Sequence, residues 1–177
     1  MLSTAATFID PRGNRLLGAL PPDVLTRWEK KLEPVEMPLG EVLYESGTPL
    51  NHVYFPTTAI VSLTYELANG TSTEIAVVGN EGVVGISLFM GGESTPSRAV
   101  VQRGGQGLRV DAQATKDEFK RAGPVMQLLL RYTLALVRQM TQSAVCSRHH
   151  SLEQRLCCWL LLNLDRSRAA TSSWCRR

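Results

Sequence analysis

The sequence predicts an α+β domain: a small β barrel or roll, preceded by a short amphipathic helix and followed by long helices. Three observations carry this. Between Pro34 and about residue 113, short runs of β-branched and aromatic residues alternate with Gly, Pro and Asn. From Pro124 to His150 the chain runs without Gly or another Pro, with apolar residues at heptad steps. Ahead of the strands, Leu16, Leu17, Leu20, Val24, Leu25, Trp28 and Leu32 recur at helical spacing, with Pro21-Pro22-Asp23 marking a fresh helix start.

The strand region reads as MPLGEVLYESG, NHVYFP, AIVSLTYEL, EIAVV, RAVVQ and GLRV, a close spacing that argues for a small barrel. Asn69-Gly70, between Ser62–Leu67 and Thr73–Val78, is a hairpin signal, because a tight primed turn needs positive φ at both positions. Gly79, Gly82 and Gly85 punctuate a loop that feeds the stretch ISLF. A charged helix is expected from Thr115 to Ala122, with Thr115 as cap and Glu118 completing a capping box.

In the long helix, Met126, Leu130, Thr133, Val137, Met140 and Ala144 form a seam at alternating four- and three-residue steps. A second apolar line, Leu129, Tyr132 and Leu136, runs beside it, so the helix has two faces to bury. One is expected against the barrel. The other is expected against the same helix of a second copy, giving a two-fold homodimer whose interface is the six-residue seam. A last helix is capped by Ser151 and runs through LEQRLCCWLLLNL, and the following DRSRAATSSWCRR has no periodicity.

Composition narrows the function classes. Of 177 residues, 44% are hydrophobic and 20% charged, ordinary values for a folded globular chain. The net charge of +3 is too small to diagnose nucleic-acid binding, although Arg166, Arg168, Arg176 and Arg177 make the tail basic. No stretch reads as a secretory signal or a membrane span, so a cytoplasmic protein without membrane contact is expected. Cys146, Cys157, Cys158 and Cys175 form no CxxC pair and are expected as reduced thiols, buried for structural reasons.

No catalytic constellation emerges. The GNEGVVG loop lacks the Lys-Ser/Thr of a nucleotide-hydrolysing phosphate loop. A cupin-like metal enzyme needs two or three barrel histidines, and the barrel portion holds His52 alone, expected to face solvent beside a turn. Cys146, His149 and His150 have i, i+3, i+4 spacing, but the His pair ahead of Ser151 reads as a junction between helices. No metal site and no enzyme activity are expected.

The stretches LGEVLYESGTPLNHVYFP, the hairpin to EIAVVGNEGVVGISLF, and the long helix leading to SRHHSLEQRLCCWLLLNLDR together resemble the Crp/Fnr superfamily of bacterial transcription regulators, over about Leu16 to Asp165. The resemblance implies a cyclic-nucleotide-binding-type β jelly-roll barrel with an N-terminal helix, a long dimerisation helix and one further helix. It places a flexible N-terminus at 1–14, the effector domain at 15–123, the dimerisation helix at 124–150, and the start of a winged-helix DNA-binding domain with an irregular basic tail at 151–177. Beyond Asp165 the chain departs from the family pattern. The expectation is a truncation or a shifted reading frame, with specific DNA binding confined to a full-length parent.

The effector pocket also departs from the family. Family members that bind cyclic nucleotides use a Gly-Glu pair and a following Arg for the ribose and phosphate, and this chain has Gly85-Ile86 instead. Ile86 accepts no hydrogen bond, so Glu81 or Glu93 would have to replace the ribose contact. Ser97-Arg98-Ala99 puts the arginine one place late, which in a strand turns it to the opposite face unless a bulge intervenes. The effector residues implied are Gly85, Ile86, Ser87, Ser97 and Arg98. Their chemistry disfavours a cyclic nucleotide, which stays open beside another small effector or an unliganded pocket, and no cofactor other than such a nucleotide is implied.

Overall fold

The computed structural model describes the backbone of residues 8–171 and the side chains of residues 8–161. Arg176, Arg177 and Cys175, together with the side chains of Arg166 and Arg168, lie outside the described residues. The helices are α1 (Arg15–Gly18), α2 (Pro22–Glu29), α3 (Ala112–Lys120), α4 (Pro124–His149) and α5 (Leu152–Thr171). The strands are β1 (Glu33–Met37), β2 (Val42–Tyr44), β3 (His52–Pro56), β4 (Ile60–Glu66), β5 (Ser72–Val78), β6 (Ser97–Arg103) and β7 (Gly105–Asp111). This is the α+β jelly-roll architecture that the sequence predicts.

Two antiparallel sheets form the roll, one in the order β1-β7-β3 and one in the order β2-β6-β4-β5. Alternation assigns the faces of each strand. In β3, Val53 and Phe55 join Leu108 and Val110 of β7 in a core shared with Leu17, Leu25 and Trp28 of the first two helices and with Val125 and Leu129 of α4. The edge of the Trp28 ring meets Phe55 at a centroid distance of 5.7 Å. Tyr54, on the opposite face of β3, packs toward Val61, Leu63, Ala99 and Val101 inside the roll. Met37 of β1 and Val101 of β6 tie the two sheets together.

Residues 8–14 are ordered structure, not a flexible tail. Ile9 and Pro11 are buried, Pro11–Gly13 forms a 3₁₀ turn, and Asn14 is fully buried. The Asn14 side chain saturates its hydrogen-bonding capacity. Its amide donates to the carbonyls of Pro56 at 2.8 Å and Gly82 at 2.9 Å, while its oxygen caps α1 by accepting from the N–H groups of Leu16 and Leu17, both at 3.1 Å.

Three local expectations are corrected. The β4–β5 connection is not a two-residue primed turn: only Gly70 has positive φ, 80°, and Leu67 and Thr71 close a three-residue loop around it. That is a type I turn followed by a left-handed residue, for which Gly70 alone suffices. The cap of α3 is Asp111, whose carboxylate accepts from Gln113 and Ala114 N–H, so the helix starts three residues before Thr115. Thr115 is buried within it and donates to the Asp111 carbonyl. Glu118 is also buried, where Arg27 of α2 and Arg121 hold its carboxylate instead of a capping box.

The third correction lies at the chain's far end. The backbone after Asp165 stays helical to Thr171, because Arg166 to Ala170 contain no helix breaker and the missing apolar period removes a packing face, not the helix. Cys157 and Cys158 are exposed on α5, since this helix has no core of its own to enter among the described residues.

Asn14→Ala should lower unfolding stability by about 3 kcal/mol, because it strands two buried carbonyls and uncaps α1. Asn14→Asp should cost at least as much, since a carboxylate cannot donate to Pro56 and Gly82. Urea unfolding midpoints measure both, and a loss within about 0.5 kcal/mol of wild type would refute this role.

Candidate functional site

The cassette after β5 is built from the loop 79–85 and the 3₁₀ turn Ile86–Leu88. Gly85 introduces the turn with φ 98°, and a Cβ there would meet the His52 carbonyl at 3.2 Å, so both conformation and space require glycine. Reciprocal backbone hydrogen bonds between Tyr54 and Val84, 3.0 and 2.8 Å, fasten this loop to β3. Ile86 packs against both large apolar clusters, so its side chain is part of the core. The Ser87 hydroxyl is buried without a protein partner.

Strand β6 settles how the two neighbouring polar residues divide. Ser97, Ala99 and Val101 face inward and are buried, while Arg98, Val100 and Gln102 alternate to the outside. The register with β4 is regular there, Tyr65 opposite Ser97 and Thr64 opposite Arg98, and the bulge in this region belongs to β2, between Val42 and Tyr44. Arg98 therefore does not join Gly85, Ser87 and Ser97. It pairs with Glu45 at 2.9 Å, beside an outer groove of about 470 Å³ lined by Ser62, Thr64 and Gln102. Gly85, Ile86 and Ser87 are contiguous, and Ser97 turns to the roll interior without a cation beside it.

What Ser97 does meet is Tyr44. The hydroxyls of Thr95 and Ser97 are 3.0 Å apart, and Ser97 hydrogen-bonds the Tyr44 phenol, whose ring contacts both apolar clusters together with Ile86. Burial pushes the Tyr44 phenol above its ordinary value, against the opposing hydrogen bond from Ser97. Burial likewise raises Tyr54, with Arg109 pulling its phenol down and Glu41 pushing it up.

Beside these rings lies a cavity of about 490 Å³ between β2 and β3, closed by the loop that joins them. His52 lines it, half-buried and with its ring 6.0 Å from that of Tyr54, so the expectation of a solvent-facing histidine is corrected. The period of two in HVYFP, with Val53 and Phe55 in the core, was the signal that sends His52 and Tyr54 to the cavity side.

The six residues of the expected seam do not share one free face of α4. Thr133 is buried in the chain's own core and donates to the Leu129 carbonyl, Met140 packs on the roll, and Met126 is half-buried. Leu130, Leu134, Val137 and Val145 are exposed large apolar residues, and Ala144 is exposed beside them. The four-and-three ladder straddles the edge of the packed face: a three-residue step turns about 60° round the helix, so Thr133 and Met140 face the roll while Leu130 and Val137 face away.

On the inner side, Tyr132 lies so close to the loop that a Cβ on Gly82 would stand 2.3 Å from its hydroxyl. The candidate metal trio is separated. Cys146 accepts from Gln142, His149 ends α4, and His150 is already extended, so the helical spacing breaks before its third member.

An antiparallel roll closed by helices, carrying a glycine-initiated turn after β5 and a long helix after the last strand, defines the class of fold. The chain belongs to the cyclic nucleotide-binding domain family, whose description matches residues 34–122. No protein of curated description matches the sequence significantly.

Among solved structures, the c-di-GMP-responsive global regulator CLP of Xanthomonas campestris is similar with a TM-score of 0.66 and 13% identity, over 79% of this chain and 70% of that one. FixK2 of Bradyrhizobium japonicum has a TM-score of 0.65 and 18% identity, over 73% of this chain and 64% of FixK2. The Thermus thermophilus catabolite activator protein has a TM-score of 0.56 and 19% identity, over 78% and 61%. These likenesses establish the fold.

Two predictions follow from the site. Gly82→Ala should destabilise the fold by about 1–3 kcal/mol by displacing Tyr132. Combining it with Tyr132→Leu should give much less than the sum of the two single losses in a double-mutant cycle, and strict additivity would show that the two do not touch. Raised phenol values mean that the folded state holds these protons more tightly than the unfolded chain. That stability is fully present below about pH 10 and is lost as the pH rises through the folded-state values. Tyr44→Phe should make the decline of urea stability between about pH 9 and 11 shallower. An unchanged slope would count against burial of this phenol.

Proposed function

We propose that this chain is the sensory and dimerisation portion of a cytoplasmic transcription regulator of Crp/Fnr type. The observation that carries the reading is the division of α4. Leu129, Tyr132, Thr133 and Leu136 face the roll, while Leu130, Leu134, Val137 and Val145 remain as an apolar row on the far side. A second copy related by a two-fold axis buries that row against its own equivalent, as coiled-coil packing requires. The similarity of the fold to a global regulator and a catabolite activator protein supports it.

The effector is not a cyclic nucleotide in this reading. Ile86 offers no acceptor to a ribose hydroxyl, and the nearest arginine on β6 is turned outward and bound to Glu45. A cyclic phosphate brought to the cassette would lose its water without gaining a cation. The roll serves another small effector or none. No operator-reading element is assigned to the described residues, where α5 is a single continuous helix. In a regulator of this type DNA is read by a winged helix, and α4 would set its affinity. No helix among the described residues is long and apolar enough to cross a membrane.

Sedimentation equilibrium with calorimetric titration of cyclic AMP and cyclic GMP tests both halves. The expected result is a dimer that gives no heat with either nucleotide. Val137→Asp, which sets a charge on each side of the axis, should raise the dimer dissociation constant at least about 100-fold, about 2.7 kcal/mol. A monomeric wild-type chain would overturn the dimer, and saturable heat with cyclic AMP would overturn the reading of the cassette.

A further inference from the structure

The four-stranded sheet ends in β5, whose second edge pairs with no strand among the described residues. Outside the ladder with β4, no backbone–backbone hydrogen bond among the described residues involves residues 72–77. A cleft of about 560 Å³ runs along this edge, between β5 and the helices α4 and α5, and residues 72–77 line it without a gap. Successive side chains of a strand point to opposite faces, so a consecutive run of this kind can share one cleft only along its backbone.

The opposite walls come from two helices. Gln139, Ser143, Cys146 and Ser147 lie on one face of α4. Ser143 stands about two and a half turns from Leu134, so this face looks away from the exposed apolar row. A second copy seated on that row would leave the cleft open. From α5 come Leu152, Leu156 and Trp159, exposed and at the four- and three-residue spacing of one helical face. Small polar side chains thus face large apolar ones along the strand edge.

What the edge lacks is a backbone partner. An unpaired strand edge presents N–H and C=O groups at a regular spacing that another extended chain matches. β5 of a second copy cannot be that chain, because its own free edge lies behind its own α4 and α5. Charge narrows the choice further. The charged residues that line the cleft are Glu74 and Arg155. The Glu74 carboxylate turns to the outer face of the sheet and accepts from the Ser62 hydroxyl at 2.7 Å. Arg155 is in no ion pair among the described residues, so an acidic side chain on the incoming strand would complete it.

We infer that the β5 edge takes up an extended peptide segment of another protein as an added strand. Its apolar side chains, at alternate positions, rest on Leu152, Leu156 and Trp159, and an acidic side chain between them meets Arg155. Residues 72–77 span about 20 Å at about 3.4 Å per residue, which sets the length of the segment at about six residues. This interaction goes beyond the sensory reading and does not rest on it.

The test is NMR and calorimetry on the isotope-labelled full chain with three capped peptides: acetyl-Val-Thr-Asp-Thr-Val-Thr-amide, its fully N-methylated analogue, and the same sequence with lysine in place of aspartate. The aspartate peptide should saturate with a dissociation constant on the order of 0.1 mM, shifting the amides of residues 72–77 and slowing their hydrogen exchange. The N-methylated analogue, which donates no backbone hydrogen bond, should bind at least about tenfold more weakly, and the lysine peptide at least about fivefold more weakly. Arg155→Glu should reverse the preference between aspartate and lysine. Ser147→Trp, filling the cleft from an exposed position, should weaken the aspartate peptide about tenfold while the circular dichroism spectrum and melting temperature stay near wild type.

Absence of saturation at millimolar concentration overturns the inference. Equal binding of the N-methylated analogue, a charge preference that Arg155→Glu leaves unchanged, or binding that Ser147→Trp does not weaken overturns it as well. So does protection of the 72–77 amides that rises with protein concentration in the absence of peptide, which would assign the edge to a second copy.

Discussion

A single buried amide, that of Asn14, holds together parts of the chain that no sheet connects. Its two donors and its oxygen reach the end of β3, the loop after β5 and the first turn of α1, and Arg15 N–H adds a 2.7 Å bond to the Asn80 carbonyl of the same loop. In a buried setting such a network is stabilising only when every member is satisfied, and here the side chain meets each partner. The loop so fixed presents Gly82 to Tyr132, which gives α4 its seat on the roll. Asn14 thus joins the N-terminal turn to the cassette loop, which the Tyr54–Val84 pair fastens to β3.

The second constraint is the alternation of a β-strand, which divides chemistry more sharply than distance does. Ser97 and Arg98 are neighbours in sequence, yet one hydroxyl reaches Tyr44 inside the roll and one guanidinium reaches Glu45 outside it. With the bulge absorbed in β2, β6 stays straight at this point and the division cannot be undone locally. The interior that results is lined by Val61, Leu63, Ala76, Val78 and Ala99, with Arg98 turned away from it.

How legible the molecule was in its sequence follows from the range of the interactions concerned. Period-two strands, the Pro-led helices and the glycine loop are local features, and the roll and its helices could be read directly. His52, Tyr44 and Tyr54 were missed as a group because their meeting depends on two sheet edges facing each other, a matter of topology. Asn14 carries no local signal, since its partners lie 42 and 68 residues away. Cap positions failed for a different reason: Asp111 and Thr115 are both good caps, and only the end of β7 decides between them.

Helix α4 shows most clearly what a periodicity argument can and cannot supply. A seven-residue ladder fits any apolar helix of this length, and it does not say which side the globule will occupy. Thr133 satisfies its hydroxyl on the helix backbone, so it can be buried at little cost, and Tyr132 and Leu136 draw that side toward the roll. The same rotation brings Leu134 out between Leu130 and Val137. The docking of α4 on the roll, through Leu129, Tyr132 and Leu136, therefore defines the free face.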